Sequence, residues 1–132
     1  MKLDEKGYKA LHDREGLRLK PYLDTRGIPT IAMGNTFYEN GKKVTMLDKP
    51  ITKIEAERLG KVIADIFASE VTTLIKAKVN QNQFNALVSI AYNIGINGFR
   101  TSSFLKLVNE NPNDPKIKEA IMLWTKNKEL TG

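Results

Sequence analysis

The strongest constraint on this chain is a change of period near residue 52. Beyond it, apolar residues recur at spacings of three and four. Before it, prolines and glycines cut the chain into short runs. Leu59, Val62, Ile63, Ile66, Phe67, Val71, Leu74 and Ile75 follow helical spacing, and Thr52 with Glu55 reads as a capping box at their head. This predicts one long amphipathic helix from residue 52. A second helix is predicted over 82–93, burying Phe84, Leu87, Val88, Ile90 and Ala91, with Gly95 and Gly98 ending it. Ser102 or Ser103 opens a short helix through Val108. Asp114 and Pro115 cap a last one that runs to about Thr125, with Trp124 in the core beside Ile121.

Ahead of that switch, Pro21, Gly27, Pro29, Gly34 and Gly41 punctuate runs rich in β-formers. Residues 24–27 read as a turn and 28–33 as a short strand, with Pro29 marking an edge. Asn40-Gly41 lies between Thr36-Phe37-Tyr38 and Lys43-Val44-Thr45, a hairpin signal. A first helix is expected over 4–15, capped by Asp4, with Tyr8 and Leu11 on one face and Gly16 just past its end. The class is therefore α+β: a small antiparallel β lobe packed beside a mainly helical lobe, with a cleft between them. One domain spans 1–132, with the first helix at 1–15, the β lobe at 16–50 and the helical lobe at 51–132.

Composition narrows the function classes. The chain has 132 residues, enough to bury a core, and lacks cysteine, which excludes disulfides and thiolate metal sites. No apolar run approaches the roughly 18 residues of a membrane span. The polar N-terminus does not read as a signal peptide. Lys and Arg number 21 against 15 Asp and Glu, a net charge of +6 that favours acidic partners. Nucleic acid, anionic membrane and anionic cell wall all satisfy it. The clusters Lys42-Lys43 and Lys126-Asn127-Lys128 read as solvated faces before wall-binding ones. No phosphate-binding Gly-rich loop, nucleophile elbow or zinc motif is present.

The residues that carry chemistry are Glu15, Asp24 and Thr30. On a single helix, residues nine apart would lie on opposite faces. Gly16, Pro21 and Gly27 interrupt the helix and let the chain fold back, turning Asp24 toward the end of the first helix. Two carboxylates on one cleft are what glycoside hydrolysis needs: a protonated acid for the leaving oxygen and an ionised group for water or for the cation-like transition state. The negative end of the first helix and the apolar Leu17 and Leu19 favour a neutral Glu15, as a general acid requires, while Arg14, Arg18 and Lys20 act the other way. Asp24, in a polar turn, is expected to be ionised. Thr30 offers a hydroxyl for a water beside it. Spacing alone leaves open the plainer reading, that these are ordinary surface residues. His12, the only histidine, is expected at the surface or against the hairpin.

Residues 15–34, EGLRLKPYLDTRGIPTIAMG, resemble the active-site segment of phage-type lysozymes. That family's pattern is Glu, eight residues, Asp, five residues, Thr, and Glu15, Asp24 and Thr30 match it. Residues 83–95, QFNALVSIAYNIG, then Gly98-Phe99 and the serines at 102 and 103, resemble the family's central helix and following loop. The resemblance covers about residues 5–130 and implies a cofactor-free and metal-free muramidase. It would cut the β-1,4 bond between N-acetylmuramic acid and N-acetylglucosamine with inversion. Glu15 would be the acid, Asp24 would activate water and Thr30 would assist. Tyr92 and Asn93 match positions lining the sugar cleft, though an aromatic core residue and a helix-end cap explain them equally. The implied partner is bacterial peptidoglycan, without nucleic acid or stable membrane insertion, bound by a monomer. The implied location is the host cytoplasm until release to the wall.

Two departures stand out. The family carries Gly-x-Gly-His after the Thr, where this chain has Ala32-Met33-Gly34-Asn35. Members also continue past Leu130-Thr131-Gly132 into a basic helical segment, so a shortened helical lobe is expected. These departures keep two alternatives in view: a glycan-binding module without activity, and a lytic transglycosylase, which needs one carboxylate and no partner for water. A basic nucleic-acid binder rests on charge alone.

Overall fold

The computed structural model describes residues 1–119. The elements run α1 (Glu5–Glu15), β1 (Arg18–Leu23), β2 (Pro29–Ala32), α2 (Lys53–Leu74), α3 (Gln81–Ile94), α4 (Ile96–Arg100) and α5 (Ser103–Glu110). Contacts gather into two compact units, residues 2–66 and the chain from Phe67 onward with Met1.

In the first unit, Asp4 caps α1 by accepting the Gly7 N–H at 2.8 Å. Leu11 faces the core. Gly16, at φ 74°, ends the helix and donates its N–H to the His12 carbonyl, as the glycine signal predicted. β1 and β2 pair antiparallel around a turn in which the Gly27 N–H reaches the Asp24 carbonyl at 2.9 Å. The sequence reading missed β1, because Pro21 lies inside it. The register explains how a proline fits. Arg18 pairs with Ala32 and Tyr22 with Thr30, so β1 advances four residues where β2 advances two. The additional residues form a bulge, one of the few places in a sheet that tolerate proline. The bend brings the Arg18 guanidinium over the Tyr22 ring, 4.9 Å from its centre.

β2 is shorter than the expected 28–33. Ile28 belongs to the turn, and Ala32 adopts a left-handed φ of 58° that ends the strand. Beyond it Ile31 and Asn35 exchange N–H···O bonds at 2.9 Å each. The hairpin expected around Asn40-Gly41 reduces to one bridge, Phe37 to Lys43. Gly41, at φ 83°, makes the turn. Of the flanking residues Val44 alone is fully buried, and Phe37 stays exposed, so no second face holds a longer ladder. Ile31, Ala32, Val44, Ala56 and Leu59 form the core here, with Leu17, Tyr38 and Ile51 packed against it.

α2 begins as predicted, with the Thr52 hydroxyl accepting the Glu55 N–H at 3.1 Å. Its buried face is the expected one only in part: Leu59 and Val71 are buried as predicted. Val62 and Ile66 are 52% and 54% exposed, whereas Ala56, Gly60, Ala64 and Ala68 are buried. These small residues recur every fourth position. At Gly60 the lack of a side chain lets His12 and Leu17 seat closely on the helix.

In the second unit, Asn80 and Gln83 form a full capping box at the head of α3. The five residues predicted to be buried, Phe84, Leu87, Val88, Ile90 and Ala91, are buried. Gly95 ends α3 as expected, but Gly98 lies within α4, a helix the sequence reading did not anticipate, which buries Phe99. Ser102 caps α5 through the Leu105 N–H at 3.0 Å. Asn109 ties α5 to the end of α2, donating to the Leu74 carbonyl at 3.1 Å and accepting the Lys76 N–H at 2.8 Å. Asp114 accepts the Lys116 N–H at 2.9 Å where a further helix opens at residue 115. The predicted run of that helix to Thr125, with Ile121 and Trp124, the Lys126–Lys128 cluster and the terminal residues 130–132 all lie outside the described residues.

Phe84 is 1% exposed in this unit's core. Replacing it with Ala removes buried apolar surface and leaves a cavity, at a cost of about 3–5 kcal/mol. A urea titration should show the midpoint falling accordingly with the slope unchanged.

Candidate active site

Glu15 occupies the last turn of α1, half-buried, immediately before the glycine that redirects the chain into β1. Asp24 follows β1 directly, and its carboxylate organises the turn. Oδ1 accepts the Arg26 N–H at 2.8 Å and the Ile28 N–H at 2.9 Å, and Oδ2 lies 3.5 Å from the Arg26 guanidinium. The Ile28 N–H bond, followed by the Arg26 N–H and the Arg26 charge, holds the Asp24 carboxyl below its ordinary range. Asp24 is therefore ionised at neutral pH, as its turn setting led us to expect.

Thr30 is buried in β2 opposite Tyr22. Its hydroxyl donates to the Ile28 carbonyl at 2.8 Å, and the same carbonyl accepts the Asp24 N–H at 3.0 Å. Asp24 and Thr30 thus share Ile28 and sit at one end of the hairpin. With its proton committed, Thr30 Oγ1 can only accept from a further partner. Arg26 and Ile28 were not singled out from sequence. The signal was there in the turn, since an Asp that opens a turn ending in Gly commonly accepts the N–H groups two and four residues on.

Tyr92 and Asn93 lie in the last turns of α3, in the other unit. Tyr92 packs edge-on against Phe67, ring centres 5.3 Å apart at 66°. Asn93 is exposed, and the helix cap is Gly95.

The Gly-x-Gly-His departure has a structural resolution. Ala32 takes the first glycine's place, in a left-handed conformation that glycine adopts more easily. Asn35 takes the place of the histidine and is buried. Its Nδ2 donates to the Leu59 carbonyl on α2 at 3.0 Å, and its Oδ1 accepts the Met33 N–H at 3.3 Å. His12 is partly buried. It packs against Gly60 of α2, and burial lowers its pKa, keeping the imidazole neutral at neutral pH. Its Nε2 is buried and finds no hydrogen-bond partner among the described residues.

Among the described residues no three His, Asp or Glu side chains gather as a metal site would need, and no helix is long and apolar enough to cross a membrane.

Comparison with known proteins places this arrangement. The phage lysozyme family model matches residues 12–132. The endolysin of Salmonella phage P22 is 35% identical over 126 residues, covering 96% of this chain and 85% of that protein. The structure of the endolysin from Escherichia coli O157:H7 phage FAHEc1 superposes with a TM-score of 0.78 at 40% identity, over 94% of this chain and 76% of the other. A mutant P22 lysozyme structure gives 0.76 at 33% identity, over 92% and 79%. These similarities define an enzyme of the lysozyme class. The chain belongs to the phage lysozyme family.

Proposed function

We propose that this enzyme hydrolyses the β-1,4 bond between N-acetylmuramic acid and N-acetylglucosamine in bacterial peptidoglycan, with Glu15 as general acid and Asp24 as base for the attacking water. The observation that carries the division of roles is the environment of Asp24. Two backbone N–H groups occupy Oδ1, and the single long contact to Arg26 leaves Oδ2 with acceptor capacity for a water proton. Thr30 Oγ1, restricted to accepting, takes the same water's other hydrogen and turns its lone pair outward. Glu15, on a separate element, gives its proton to the leaving oxygen.

A base acting through water implies inversion. Tyr92 and Asn93 would contact the sugars. The +6 net charge favours approach to an anionic wall. The protein acts as a monomer, held in the host cytoplasm until released to the wall.

Proton NMR of a short glycan digest, recorded within seconds of cleavage, tests the mechanism. The new reducing ends should appear first as the α-anomer. A first-formed β-anomer would indicate retention. Anhydro-muramic ends would replace this reading with a lytic transglycosylase. Glycan binding without any new ends would make the chain a binding module.

A further inference from the structure

We infer that one turn of α2, Leu59–Gly60, is the fixture that sets the catalytic helix and the catalytic hairpin against each other, with Gly60 and Asn35 as positioning residues. The inference rests on the roles proposed for Glu15 and Asp24. Two consecutive residues of α2 meet the two elements. The Leu59 carbonyl accepts Asn35 Nδ2 at 3.0 Å, and Asn35 holds the end of β2 through its paired bonds with Ile31, one residue from Thr30. Gly60 meets α1. A Cβ added there would lie 2.9 Å from His12 Nε2 and 3.2 Å from Leu17 Cδ2.

The contact reaches Glu15 from both sides. His12 precedes it by one helical turn, and the His12 carbonyl accepts the N–H of Gly16, the residue after it, at 2.8 Å. Leu17 follows two residues later. Farther up α1, Tyr8 donates to Asp65, and the Lys61 ammonium lies 4.9 Å from the Tyr8 ring centre, so α1 is also held along its length. The end that carries Glu15 is set by the depth to which His12 and Leu17 seat on a residue with no side chain. Gly60 occupies a helix-interior position where Ala is the better helix former; a methyl group there would have to displace the ends of the His12 and Leu17 side chains, and the partly buried imidazole passes part of that displacement to α1. The neutral, unpartnered Nε2 fits this role: it is a shape against Gly60 and needs no charge partner.

The test is a rescue experiment on the whole chain, read at a temperature where circular dichroism shows every variant folded. Gly60→Ala should lower kcat on soluble glycan strands by roughly 10- to 100-fold, the scale of a sub-ångström to 1 Å misplacement. KM should stay within about twofold, because uniform binding is untouched. His12→Ala combined with Gly60→Ala frees the space that the new methyl needs and should recover most of the lost kcat. A purely structural glycine would instead leave kcat of the folded variants unchanged and lower only the melting temperature. Wild-type kcat in Gly60→Ala, or a double variant no better than the single one, overturns the inference. If Gly60→Ala does not fold, Asn35→Ala reads the other contact: kcat should fall with KM held, and an unchanged kcat overturns the inference. An active Glu15→Gln would defeat the catalytic assignment itself, whereas an inactive Glu15→Gln with indifferent Gly60→Ala and Asn35→Ala variants would defeat only the fixture.

Discussion

Glu15→Gln is expected to abolish clearing of a turbid peptidoglycan suspension, with a loss of roughly two to four orders of magnitude. Glutamine matches glutamate in shape and keeps the hydrogen-bonding oxygen, but it has no proton to give to a leaving alkoxide. The leaving oxygen must then depart as a strong base, and the cation-like transition state loses its driving force. The fold should survive. Glu15 is in the last turn of α1, where the helix presents its negative end, and a neutral amide suits that end at least as well as a carboxylate. The diagnostic result is therefore a large loss of kcat with a melting temperature within a few degrees of wild type. Lysis at the wild-type rate would remove Glu15 from the mechanism.

Asp24→Asn is expected to produce a loss of similar scale for a different reason. The Asn Oδ1 can still accept the Arg26 and Ile28 N–H bonds, so the turn persists, but the negative charge that activates water is gone. A pH signature accompanies it. The folded carboxyl lies below its ordinary value, chiefly because of the Ile28 N–H. Ionised Asp24 therefore stabilises the fold fully above the ordinary carboxylate range, and that contribution disappears as pH falls through the lowered folded value. The Asn variant cannot lose what it lacks. Its melting temperature should decline less steeply on acidification than that of wild type. Identical acid limbs in the two proteins would show that the turn does not hold Asp24 ionised.

Much of this was legible in the sequence, and the exceptions share a cause. The buried residues of α3 and the caps at Asp4, Ser102 and Asp114 depend on local spacing and local hydrogen bonds, which a linear reading captures. The strand β1 was not legible, because a proline argues against a strand unless a bulge receives it, and the bulge exists only once β2 is opposite. The buried face of α2 was legible only in part: Leu59 and Val71 are buried as their spacing predicts, but Val62 and Ile66 are exposed. The reading counted large apolar residues, whereas the small ones Ala56, Gly60, Ala64 and Ala68 are buried. The contact of His12 with α2 was not legible either, since nothing local announces a glycine 48 positions away.

What the sequence by itself determined is therefore the set of elements closed by their own neighbours, and it nominated Glu15, Asp24 and Thr30 as candidates through their register with a known family. The tertiary structure decided what links them. It placed Asp24 and Thr30 on the same residue, Ile28, committed the threonine proton, and put Asn35 and His12 on adjacent residues of α2. The physical reason is range. Caps, turns and helical periodicity are fixed within a few residues along the chain, whereas a carboxylate's protonation and orientation depend on donors and packing surfaces that only folding brings within bonding distance.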